Sequence, residues 1–115
     1  MLISSFLASE TALAAADWMA LTIAGESGRG LNDILEDFRS FYFDIALSGS
    51  PAALPSLLQF AKRDHVLFGS DWPFAPDAAV SYFTAQFDKW DGLGADERAA
   101  IDRTNAQTVF ARLTK

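Results

Sequence analysis

The residues Val66-Leu67-Phe68-Gly69-Ser70-Asp71-Trp72-Pro73-Phe74-Ala75-Pro76 decide how the rest of the chain is read. A short apolar run stops at Gly69, and Ser70 and Asp71 stand where a strand would end. Trp72 and the prolines Pro73 and Pro76 follow before a helical pattern opens at about Asp77. Polar side chains at the C-terminal ends of buried parallel strands are where α/β sheets keep their chemistry. Asp71 is therefore the first candidate for a catalytic residue. The competing reading is local: a short carboxylate here bonds backbone N–H groups two residues on and only caps the turn.

Upstream, Phe41-Tyr42-Phe43-Asp44-Ile45-Ala46-Leu47 reads as the clearest strand. Phe41, Phe43, Ile45 and Leu47 share one side, and Tyr42, Asp44 and Ala46 the other. One large apolar face and one smaller, partly polar face suit a barrel strand, packed under helices outside and lining the interior inside. Asp44 is then an inward carboxylate. It either orients a ligand or substrate or is a buried group satisfied by a backbone N–H or an arginine. His65 precedes the second strand, at the opposite end from Asp71. Five residues of strand separate the two by about 20 Å, too far to share a metal, so His65 reads as an ordinary loop residue.

Helical stripes fill the rest. Leu13, Ala16, Ala20 and Ile23 mark a helix from about Ser9 to Ala24, with Gly25 as its C-cap. Leu31, Ile34, Leu35 and Phe38 mark a second, with Glu36 and Asp37 on its solvated face. Between the strands, Ser50 and Pro51 suit the cap and first position of a helix carrying Leu54, Leu57, Leu58 and Ala61. Pro55 argues instead for a start near Leu54. Val80, Phe83, Phe87 and Trp90 form a long stripe opened by Pro76 and ended by Gly92 and Gly94. A short helix from about Asp96 to Arg103 follows. Thr104 and Gln107 then have capping-box spacing for a last one with Val109, Phe110 and Leu113. Gly28-Arg29-Gly30 follows no strand and is not a phosphate cradle.

The expected order is thus helix, helix, strand, helix, strand, helix, helix, helix. The helical crossover implies parallel strands. Two strands cannot close a barrel, and a (β/α)8 barrel takes about 250 residues. The 115 residues therefore read as one partial domain, residues 1–115, from the C-terminal part of something larger. Half of them are hydrophobic, with ten Phe and three Trp, which suits a packed core rather than disorder. The net charge of -6 and the lack of clustered Lys and Arg argue against nucleic acid and against an anionic membrane surface. The absence of cysteine excludes disulfides, thiolate zinc sites and Cys nucleophiles, and suits a cytoplasmic setting. Met1 to Ala8 lacks a basic start and does not read as a signal peptide.

Three stretches carry a family resemblance: 41–51, 66–76 and Ile101-Asp102-Arg103-Thr104-Asn105-Ala106. Together they resemble the C-terminal part of the amidohydrolase-related family, on its decarboxylase branch. That branch includes 6-methylsalicylate, γ-resorcylate and aminocarboxymuconate-semialdehyde decarboxylases. The resemblance implies a metal-dependent TIM barrel, with zinc or manganese as the divalent ion. Phe41 to Leu47 would be its seventh strand and Val66 to Ser70 its eighth. Asp71 matches the aspartate that ends the eighth strand, which binds the metal or its water and handles a proton. A small carboxylic acid would be the substrate, its ring carbon protonated before carbon dioxide leaves. Trp72 and Phe74 would line the apolar side of the pocket, or pack within their own loop.

The departure from the family is large. Its first-strand His-X-His pair and its middle-strand histidines have no counterpart here, and His65 matches none of them. Asp71 alone cannot supply the three protein ligands usual for catalytic zinc. The expectation is a segment that binds no metal by itself, is inactive alone and self-associates through exposed apolar surface. Two alternatives stay open. A lactonase-like hydrolase would use the same aspartate and metal, and a non-catalytic remnant would serve as an interaction module.

Overall fold

The computed structural model describes residues 2–3 and 10–114, with side chains from Ala16 to Leu113. Its centre is a three-stranded parallel sheet of β1 (Leu2–Ile3), β2 (Tyr42–Asp44) and β3 (Val66–Leu67), in that spatial order. Six α-helices accompany it: α1 (Glu10–Ser27), α2 (Leu31–Arg39), α3 (Leu54–Phe60), α4 (Asp77–Lys89), α5 (Ala95–Ala99) and α6 (Asn105–Val109). The α/β class and the order of helices and strands agree with the sequence reading, except that a strand stands before α1. Two residues are too short to display alternation, so β1 left no pattern to read. The start expected at Ser9, and the Leu13 side chain, lie outside the described residues.

The two expected strands are shorter than their apolar runs. Phe43 faces Val66 and Asp44 faces Leu67 across the pair, and Ile45 donates its N–H to the Leu67 carbonyl at 3.0 Å. Beyond that point the chains turn away. Leu47 takes a left-handed backbone with φ 55° and Asp71 one with φ 60°, a conformation in which no ladder continues.

The helix-facing side of the sheet makes the core. Phe43, Ile45 and Val66 pack with Leu54, Leu57, Leu58 and Ala61 of the α3 region, and with Phe87 and Ile101. Burial of this kind stabilises by about 25 cal/mol per Å² of apolar surface removed from water. The expected stripes are borne out in α2, where Ile34 is buried, and in α4, where Phe87 is buried.

Of three helix ends, the α3 start agrees with the reading from Pro55, and the α4 end and the α6 start differ from expectation. α3 opens at Leu54 with Pro55 in its first turn, where the missing N–H costs nothing, and Ser50 to Ala53 form a turn before it. α4 ends at Lys89, before Gly92 and Gly94. Its last carbonyls are taken by Arg98, whose Nη2 donates to Phe87 at 2.9 Å and to Trp90 at 2.7 Å. The capping box expected at Thr104 and Gln107 is absent, because no helix starts there. α5 runs on through a π-helical turn, Ala100–Thr104, into α6. Thr104 has helical angles and no side-chain cap bond, and Gln107 reaches the Leu113 carbonyl instead.

Candidate functional site

Asp71 stands just past the C-terminal end of β3, at the rim that β2 shares. Its backbone carbonyl closes the turn, accepting from Phe74 and Ala75 N–H, each at 2.8 Å. Ser70 Oγ, not the aspartate, accepts the Trp72 N–H, at 3.4 Å. The Asp71 carboxylate itself is exposed and makes no hydrogen bond or ion pair among the described residues. The turn-capping alternative for this side chain is therefore not what the geometry shows. An Asp tolerates the left-handed region better than bulkier residues do. The observed φ of 60° turns the chain out of β3 at this residue.

Trp72 is 66% exposed and Phe74 88% exposed. Neither is packed within its loop. They follow Asp71 in the chain as two unburied aromatic surfaces.

Asp44 ends β2 on the same rim. Its Oδ1 accepts the Ala46 N–H at 3.0 Å. Gly69 lies directly against it: a Cβ there would stand 3.1 Å from Asp44 Cβ and 3.3 Å from its Oδ1. The half-buried Asp44 and the Gly69-Ser70-Asp71 exit of β3 are thus neighbours.

His65 lies in the 3-10 turn Arg63–His65, at the opposite end of β3. Its Nδ1 lies 2.9 Å from the Ser40 carbonyl and its ring stacks on Tyr42 with centroids 4.1 Å apart. A carbonyl only accepts, so Nδ1 carries the proton. A cavity of about 210 Å³ is at this far end too, lined by Arg63, Asp64, Glu97, Ala100, Ile101 and Asn105.

Sequence reasoning missed the part played by Asn105. It is 6% exposed, and its Nδ2 donates to the Arg63 carbonyl at 2.9 Å and the Val66 carbonyl at 2.8 Å. The signal available was an Asn within an otherwise apolar helical stripe beside Ile101, a position where a buried amide must find partners.

Residues 11–112 match the amidohydrolase family model. The chain belongs to the amidohydrolase family. Similar curated members are a 6-methylsalicylic acid decarboxylase of Penicillium expansum, 38% identical over 75% of this chain and 26% of that protein, and decarboxylase yanB of Aspergillus niger, 39% identical over 70% of this chain and 23% of that protein. The chain thus spans about a quarter of the length of these relatives. The crystal structure of 5-carboxyvanillate decarboxylase LigW from Sphingomonas paucimobilis shares its fold, with a TM-score of 0.61 and 19% identity over 96% of this chain and 33% of that one.

Amidohydrolase-family proteins are generally metal-dependent. Among the described residues, no three His, Cys, Asp or Glu side chains are grouped to hold an ion. Asp71 stands as a single carboxylate, and by itself it does not fit a metal centre. No described helix is long and apolar enough to cross a membrane.

Proposed function

We propose that this chain is the C-terminal segment of an amidohydrolase-family decarboxylase acting on an aromatic or related small carboxylic acid, and that Asp71 is its reaction-centre carboxylate. The observation that carries the proposal is the Asp71 carboxylate itself. Among the described residues it is unpaired, it stands past a strand's C-terminal end in a left-handed turn, and the exposed Trp72 and Phe74 follow it in the chain. The similarity to decarboxylases supports the reaction class.

The proton step is simple in this geometry. A protonated Asp71 carboxyl donates to the ring carbon that bears the substrate carboxylate. The bond between that carbon and the carboxylate then breaks, its electron pair restores the ring, and carbon dioxide leaves. Asp71 is left as carboxylate and regains its proton from water. Trp72 and Phe74 form the apolar side of the pocket, and Asp44 and Gly69 set the rim beneath it. The remainder of the full-length fold supplies the other walls. The full-length family's divalent ion is read as zinc or manganese, with its remaining ligands outside this chain.

A chimera tests this. The matching C-terminal segment of the Penicillium expansum relative is replaced by this chain, and loss of 6-methylsalicylic acid is followed by chromatography. The expected result is measurable decarboxylation that falls by about 10²-fold or more in Asp71→Ala, the scale of a lost acid–base group. A folded chimera whose activity is unchanged by Asp71→Ala would sink the assignment.

A further inference from the structure

The helical segment after α5 contains a π turn whose consequences all land on one strand. At Asn105 the backbone N–H bonds to the Ala100 carbonyl, five residues back. Regular α-helical bonding would have sent it to Ile101, four back. The Ile101 carbonyl instead accepts the Phe68 N–H at 2.9 Å. The same extra residue in the turn brings the Asn105 side chain round to β3, where its amide holds the Val66 and Arg63 carbonyls.

These contacts share an edge. The Leu67 carbonyl faces β2 and takes the Ile45 N–H. The Val66 carbonyl and the Phe68 N–H, one residue to either side, point to the opposite edge, as strand geometry requires. The π turn occupies both. The strand is thereby held at its first residue by a side chain and just past its last by a main-chain carbonyl. Asp71 follows Phe68 by three residues, across Gly69 and Ser70.

We infer that the π turn Ala100–Thr104 and Asn105 form a clamp that sets where β3 ends, and that Asn105 is a positioning residue for Asp71. The inference rests on the reading of Asp71 as the reaction carboxylate, and it deepens that reading by naming what holds it in place. A π turn inserted in a helix recurs at functional sites, because it redirects one side chain and releases one carbonyl. Here both are aimed at the strand that carries the carboxylate, the Asn105 amide at its start and the Ile101 carbonyl just past its end.

The test follows the backbone by NMR in the full chain, in Asn105→Ala and in a chain lacking Asp102. Deleting Asp102 makes the Asn105 N–H to Ala100 bond an ordinary four-back one, leaves Asn105 facing β3, and puts the Ala106 N–H four residues after Ile101, where it takes the Ile101 carbonyl from Phe68. The expected result in both variants is Phe68 N–H exchange about ten-fold faster relative to the Ala61 N–H of the helical layer. The backbone coupling at Asp71 also leaves its left-handed value. Equal acceleration at Phe68 and Ala61 would mean general destabilisation and would overturn the clamp, as would an unmoved Asp71 coupling. Should neither variant fold, native-state exchange of the unaltered chain decides. Phe68 N–H opening together with the Phe74 N–H that bonds the Asp71 carbonyl, apart from β2, supports the clamp, and opening only with the whole sheet overturns it. None of these readouts depends on turnover, so a failed clamp leaves the Asp71 assignment to be judged by the chimera alone.

Discussion

At the scale of single residues, the candidate site turns on backbone angles. Asp71 occupies the left-handed region with φ 60°, which costs an ordinary L-residue roughly 1–2 kcal/mol and a β-branched one more. Asp71→Val is therefore expected to destabilise the chain by about 1–2 kcal/mol, whereas Asp71→Gly leaves stability within about 1 kcal/mol. Urea midpoints of the two variants check this; equal midpoints would mean the turn is not strained by its side chain. Asp71 was legible as a candidate because an apolar run ending in Ser-Asp-Trp-Pro marks a strand exit. Its left-handed angle was not, since Asp at a turn suits several conformations. Alternation alone put Asp44 on the face of its strand away from Phe43 and Ile45. Its contact with Gly69 was not legible, because it depends on which strand lies beside it and in what register. The role of Asn105 was not legible, since its partners lie 42 and 39 residues away in the chain.

At the scale of elements, glycines separate places with room from places without. Gly25 lies inside α1, and a Cβ there would meet nothing within 4 Å. Gly25→Ala should stabilise by about 0.5–1 kcal/mol through helix propensity and chain entropy. The sequence had suggested Gly25 as a C-cap, but α1 continues to Ser27, and Gly28 with φ 70° takes the left-handed position beyond it. At Gly49 the same substitution places a Cβ 2.5 Å from the Phe83 carbonyl and 3.0 Å from Phe87 Cβ. Gly49→Ala must push α4 off the end of β2, at a cost of about 1–3 kcal/mol or more. Thermal melts of both variants should move in opposite directions, and a common direction would contradict the packing described. The α2–α3 side carries an electrostatic test as well. Lys62 Nζ lies 2.7 Å from Glu36 Oε1, and that hydrogen bond and charge, with Arg39 adding to them, hold the Glu36 carboxyl below its ordinary value of 4.5. A depressed carboxylate contributes stability that is present above the unfolded value and lost as pH falls through the folded one. Glu36→Gln should therefore narrow the gap to the parent chain only as pH drops below about 4.5, and the pair being exposed, the gap is small and shrinks with salt. A gap that persists at low pH would remove the charge from the explanation. The helix ends were the least legible elements, since a π turn has no sequence pattern of its own and Arg98 caps α4 from the next helix.

At the scale of the whole molecule, several large apolar side chains are left open to water. Three large side chains of α1 face water: Trp18 at 70%, Met19 at 53% and Leu21 at 54% exposed. Trp72, Phe74 and Tyr82 do the same near the strand-end rim and α4. The composition, half hydrophobic, made an apolar excess legible in advance, but which residues carry it depends on how α1 packs. Ala20 faces inward on that helix while the tryptophan faces out. Soluble monomers rarely leave patches of this kind uncovered, so the purified chain is expected to self-associate. The two edges of the sheet are not equivalent in this respect. β3 is blunted by Asn105 and the Ile101 carbonyl, which leaves side-chain burial rather than strand addition at β3 as the driving force. The net charge of -6 opposes association through repulsion that salt screens within about 10 Å at 0.1 M. Sedimentation velocity over a range of chain and salt concentrations should show association that rises with both. Trp18→Glu with Leu21→Lys should weaken it more than Phe74→Ser if α1 dominates, and the reverse order would place the contact at the strand-end rim. A chain that stays monomeric at all concentrations, in high salt as in low, would show that these surfaces are tolerated in water and that association is not the cost of their exposure.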